Sequence, residues 1–129
     1  MEKEIKTVPS EELAYWLGVA QSDGSLVKYL RKGRTEPNYK ISLEVAKNSM
    51  PMITKFTELS KELFRRKSAI WKTKRGGFSM HIGITGLIEI FKDLDMIFKD
   101  PPKPPYWCSG GKLFGAYLAG LIDGVSLVS

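Results

Sequence analysis

The chain has 129 residues, enough for one domain whose folding removes roughly two thirds of the unfolded surface from water. A hydrophobic content of 43% and a charged content of 26% are globular values; no apolar run approaches the ~18 residues of a membrane span, and Met1-Glu2-Lys3-Glu4 lacks the apolar core of a signal peptide. A net charge of +6 favours a polyanionic partner, and the single Cys108 excludes an internal disulfide and suits a reducing, intracellular setting.

Residues 1–9 read as a loosely held tail. Ser10-Glu11-Glu12 then starts a helix, with a capping hydroxyl followed by acids over the positive helix end. It is predicted from about Glu11 to Ser22, is apolar or small from Leu13 to Ala20 and therefore buried on most sides, and stops at Asp23-Gly24. Leu26, Lys28 and Leu30 alternate with Ser25, Val27, Tyr29 and Arg31, the period of a strand. A breaker-rich turn follows, and the second strand puts Tyr39, Ile41, Leu43 and Val45 on one face and Lys40, Ser42, Glu44 and Ala46 on the other. Ser49 and Pro51 open a second helix, whose Met52, Ile53, Phe56, Leu59, Leu63 and Phe64 recur at helical spacing as a core stripe, closed by the cations Arg65-Arg66-Lys67. A second hairpin is expected to turn on Gly76-Gly77 as a two-residue loop. That register pairs Trp71 with Ile82 and gives one face Trp71, Thr73, Met80, Ile82 and Ile84, the other Lys72, Lys74, Ser79, His81 and Thr85. A third helix begins at Gly86-Leu87-Ile88 and is predicted to last to about Phe98, before a proline-rich linker.

Two hairpins of this kind can join as a four-stranded antiparallel sheet, apolar face under the helices and polar face open. The first hairpin concentrates Lys28, Arg31, Lys32, Arg34 and Lys40 against one acid, Glu36; from Arg65 to Arg75 there are six cations and no acid. A two-stranded ribbon fits the major groove of DNA. The candidate interface is Ser25, Tyr29, Arg31, Lys40, Ser42, Glu44, Lys72, Lys74, Arg75 and His81, basic groups on phosphates and polar ones on base edges. His81 has no Cys or carboxylate at ligand spacing, and no Walker loop, catalytic triad or paired-Cys motif is present.

The chain also repeats itself. Tyr15, Gly18, Gln21 and Ser22 near the start have counterparts in Tyr117, Gly120, Asp123 and Gly124, 120 − 18 = 102 residues later. A glycine inside a helix costs about 1 kcal/mol relative to alanine. Close approach of two backbones offsets that cost, so the two helices are expected to pack on each other with their polar tails at one place.

The second copy, Leu118-Ala119-Gly120-Leu121-Ile122-Asp123, matches the consensus of the LAGLIDADG homing endonucleases letter for letter over six positions, and Asp23-Gly24-Ser25 fits the end of the same motif. The chain resembles that family over nearly its whole length. The resemblance implies an α+β fold: a homing-endonuclease-like αββαββα unit over residues 1–99 with a four-stranded antiparallel saddle sheet, a linker over 100–111, and a second motif helix over 112–129 from a truncated repeat. It implies Mg²⁺-dependent (or other divalent-cation) hydrolysis of phosphodiester bonds in double-stranded DNA, for an intron or intein host. Asp23 occupies the family's metal-binding position, Asp123 is a second acid near it, and Lys47 and Lys99 fall where the family keeps basic residues by the metals. Hard cations bridging a scissile phosphate need carboxylates converging on one point. Here the second copy departs from the family: five residues after Gly120 comes Val125, which cannot bind a hard cation. Three outcomes are open. One is an endonuclease, impaired within one chain or restored in a homodimer through the motif helices that brings two copies of Asp23 together. Another is a non-catalytic DNA-binding remnant or an intron RNA-splicing, maturase-like module. The third is a basic interaction domain.

Overall fold

A computed structural model describes residues 9–30, 32–33, 35–46, 50–74, 76–96, 98 and 102–126, with the backbone alone at 23, 50 and 126. The elements are α1 (Glu11–Asp23), β1 (Ser25–Tyr29), β2 (Asn38–Val45), α2 (Met50–Phe64), β3 (Ser68–Lys72), β4 (Phe78–Gly83), α3 (Ile88–Asp93) and α4 (Gly111–Ser126). This is the predicted order, an α+β arrangement. Among the described residues, no helix is long and apolar enough to cross a membrane.

The strands form one antiparallel sheet in the order β1-β2-β4-β3. On the helix side Ile41 faces Ile82, Leu43 faces Met80 and Val45 faces Phe78. The alternation read in β2 thus sets the layer: Ile41, Leu43, Met80 and Ile82 are buried beneath the helices.

Trp16 anchors the core. Its ring stacks on Phe56 at 5.3 Å and meets the edge of Phe64 at 4.8 Å, while its indole N–H donates to Ser60 Oγ at 2.8 Å. The buried polar end therefore keeps a partner, and the Ser60 hydroxyl donates in turn to the Phe56 carbonyl. α1 starts as expected, with Ser10 Oγ accepting from the Leu13 amide at 3.1 Å.

Two expectations are corrected. The third helix stops at Asp93 rather than near Phe98. Asp95 turns left-handed (φ 56), its amide donates to Lys92 and the Met96 amide to the Phe91 carbonyl, and Met96 is buried against the core: a Schellman-type stop made without glycine. The second hairpin does not use Gly76-Gly77 as a two-residue turn. The Thr73 amide donates to the Gly77 carbonyl and the Gly76 amide to the Thr73 carbonyl, so the loop has three residues, 74–76, with Gly76 at φ +91. Trp71 consequently faces Ser79, and Lys72 faces Phe78. An odd shift in register reverses a strand's faces. Trp71 and Ala69 lie on the open side of the sheet, and Lys72 and Ile70 on the helix side. Gly77 has a reason of its own: a Cβ there would meet the Val45 carbonyl oxygen at 2.5 Å.

A candidate nucleic-acid interface beneath paired helices

α1 and α4 lie side by side and parallel, in contact along their length. A Cβ on Gly18 would collide with the Tyr117 carbonyl, one on Gly120 with the Tyr15 carbonyl, and one on Gly124 with the Ser22 hydroxyl. The two backbones touch where the repeat places its glycines. A reciprocal pair of hydrogen bonds fixes the register: Tyr15 donates its hydroxyl to Asp123 Oδ2 at 2.6 Å, and Tyr117 donates to Gln21 Oε1. These are the equivalent residues of the two copies, exchanged across a local pseudo-two-fold axis. The Gln21 amide N–H₂ also donates to the Lys103 carbonyl at 3.0 Å, and Trp107 donates to the Leu94 carbonyl at 2.7 Å, so the proline-rich segment is strapped to the unit it leaves.

These contacts shape the titrating groups. Burial pushes the Tyr117 hydroxyl up to about 12, and neighbouring Cys108 adds to the rise. Tyr15 is raised by burial first, then by its bond to Asp123 and that carboxylate's charge. Lys55 of α2 lies over the Tyr15 ring at 4.1 Å. Asp123 therefore faces a tyrosine between the helices. Among the described residues no three His, Cys, Asp or Glu side chains cluster as metal donors.

The open face of the sheet lies where α1 ends, because Gly24 leads directly into β1. One row across it runs Ser25, Ser42, His81, Ala69. The rows beside it hold Val27, Lys40 and Gly83, and Glu44, Ser79 and Trp71. Tyr29 and Asn38 form the far row, with the Lys40 ammonium 5.1 Å from the Tyr29 ring centre. His81 meets Trp71 edge-on at 4.6 Å. Its pKa is lowered, by burial first and then by the charge on Lys40, so the imidazole is neutral near pH 7.

Of the sequence-predicted interface, Ser25, Tyr29, Lys40, Ser42, Glu44 and His81 share this face. Lys74 is exposed at the hairpin tip, and Lys72 is exposed on the helix side of the edge strand. Arg31, Lys47, Arg75 and Lys99 lie outside the described residues, as does the side chain of Asp23. Trp71, Ala69 and Asn38 were missed. The signal that could have found the first two is Gly76, which suits the left-handed last position of a three-residue loop as well as it suits a two-residue turn.

The sequence matches no family model and no curated protein. The fold nevertheless has solved counterparts: four antiparallel strands under paired helices match the fold of I-DmoI, as the sequence resemblance implies. Solved structures of I-DmoI, a LAGLIDADG homing endonuclease, share it. The chain is 19% identical to I-DmoI in complex with DNA and manganese, with a TM-score of 0.60 over 88% of this chain and 61% of that one. For I-DmoI with DNA and calcium the identity is again 19% and the TM-score 0.60, covering 92% and 57%. Mesophilic variants of I-DmoI give a TM-score of 0.61 at 19% identity, covering 86% and 59%. The chain thus spans about three fifths of the length of these structures, between 57% and 61%.

Proposed function

We propose that this chain is a DNA-binding domain of homing-endonuclease descent, which lays the open face of its sheet in the major groove of double-stranded DNA. The observation that carries the reading is the α1–α4 contact. It holds α1, whose end runs through Gly24 into β1, on a sheet whose open face bears Lys40, Ser42, Glu44 and His81, and the fold is similar to that of I-DmoI in its DNA-bound structures. Net charge, the basic hairpins and the absence of acids from Arg65 to Arg75 support the same partner.

A divalent cation, Mg²⁺ in the cell, is the cofactor this descent implies. The pseudo-two-fold axis relates Gly18 to Gly120 and Gln21 to Asp123, and so relates Asp23 to Val125, which is 60% exposed at the end of α4. One acid and one valine do not make the paired-carboxylate donor set that two hard cations on a phosphate require. The residues of one chain do not fit that centre, and no cleavage step follows from them. Hydrolysis needs a second acid, as in a homodimer through the motif helices, with Asp23 as metal ligand and Lys47 and Lys99 beside the phosphate. Val125 favours the second reading, a non-catalytic DNA-binding remnant.

Footprinting and a nicking assay separate these readings. The expected result is a footprint on duplex DNA that persists in EDTA, with no double-strand cleavage by the monomer in Mg²⁺. Asp23→Asn is expected to abolish Mg²⁺-dependent nicking while leaving the footprint. Cleavage of both strands by a monomer would overturn the single-acid reading. The lack of a footprint at low salt would leave only a basic interaction domain.

A further inference from the structure

The open face is polar at its centre and apolar at its edges: Val27 on β1 is half-buried, and the more exposed apolar surface lies along β3. There Ala69 and Trp71 of the edge strand β3 stand beside His81 and Ser79 of β4. Trp71 is 43% exposed, and its one ring contact among the described residues is the edge-on meeting with His81 at 4.6 Å and 84°. That contact leaves part of the indole open on the side that faces away from the core. The exposed part of the indole, on an edge strand and on the face away from the core, is apolar surface that a partner can cover.

The proposed DNA reading says what the partner's chemistry must be. The floor of the major groove presents hydrogen-bond donors, acceptors and a single kind of apolar group, the C5 methyl of thymine. Ser42, Glu44 and neutral His81 suit the polar edges, and Lys40 a phosphate. Trp71 with Ala69 offers what the methyl needs: an apolar surface, ordered by the neighbouring imidazole and needing little further ordering on binding. From this juxtaposition we infer that Trp71, seated with Ala69 on the open face of the β3–β4 hairpin, is a specificity-determining residue that reads a thymine C5 methyl. The inference rests on the proposed DNA reading and adds a base to it.

Replacing thymine by deoxyuridine removes only that methyl. A duplex selected by the native protein from a random-sequence pool is the probe, with each thymine changed singly to deoxyuridine. One position is expected to bind about fourfold more weakly with deoxyuridine, the worth of one buried methyl. Trp71→Ala is expected to bind both forms of that position equally and to keep the native salt dependence, since the phosphate contacts come from lysines elsewhere. Because Trp71 is exposed, the variant should retain the native melting temperature, which checks its folding. If Trp71→Ala keeps the full thymine preference at every position, or if the native protein never distinguishes thymine from deoxyuridine, the methyl reading is overturned while the DNA reading stands. If the native protein selects no duplex, both fall together.

Discussion

At the scale of single residues, the helix pair turns on three missing Cβ atoms. Gly120→Ala would improve intrinsic helix propensity by about 1 kcal/mol, yet its methyl would enter the Tyr15 carbonyl on a backbone that cannot step aside. The collision should win, with a net loss of about 2 kcal/mol or more in urea denaturation. Gly115→Ala lies on the same helix with nothing within 4 Å of the added atom, and there propensity should act alone and stabilise by about 0.5–1 kcal/mol. Equal effects at the two sites would contradict the close approach. The tyrosines give a pH signature. Tyr117 is pushed up to about 12 and Tyr15 is raised as well, from an ordinary value of 10.0. Above pH 10 the unfolded chain loses these protons before the folded one does. Their contribution is therefore intact below pH 10 and is lost as the pH rises towards 12. Tyr117→Phe should flatten that alkaline decline, read as the urea midpoint against pH.

At the scale of elements, the hairpin β3–β4 shows what periodicity alone leaves open. Trp71, Thr73, Met80, Ile82 and Ile84 form a coherent apolar set in the two-residue register, because Trp71 is apolar and a buried face is available for it. The loop decides otherwise: Gly76 takes the left-handed position, Gly77 passes within reach of Val45, and Trp71 turns outward. In β2 the alternation has no rival, since Ile41, Leu43 and Val45 leave no polar residue on that face and a slip would bury Lys40 and Glu44. The elements also define where phosphates should lie. Lys40→Ala with Lys74→Ala should lower affinity for duplex DNA and reduce the slope of log K against log salt by about 2, close to one unit for each phosphate left without its lysine. Lys92→Ala, exposed on α3, serves as the control and should change neither quantity. An unaltered slope in the double variant would move the DNA to another surface.

At the scale of the whole molecule, the pseudo-two-fold axis makes Val125 the counterpart of Asp23. Val125→Asp should therefore supply a second acid at the shared helix ends. The expected outcome is Mg²⁺-dependent cleavage of bound duplex by the monomer, lost again when Asp23→Asn is added. Cleavage that ignores either substitution would separate the chemistry from these helix ends.

The sequence by itself determined the element order, the buried face of β2 and the pairing of the two motif helices. Each rests on a local pattern with one physical outlet: a period that matches one face, or a glycine whose cost only close packing offsets. The tertiary structure alone decided the side on which Trp71 lies and where the third helix ends. It also decided that Asp123 meets Tyr15 while Gln21 meets Tyr117. Those outcomes depend on which of two allowed loops fits under the neighbouring strand, on whether Asp95 turns left-handed, and on which hydroxyl a carboxylate meets across an interface. Such choices are settled by atoms distant in the chain, and no short-range pattern carries them.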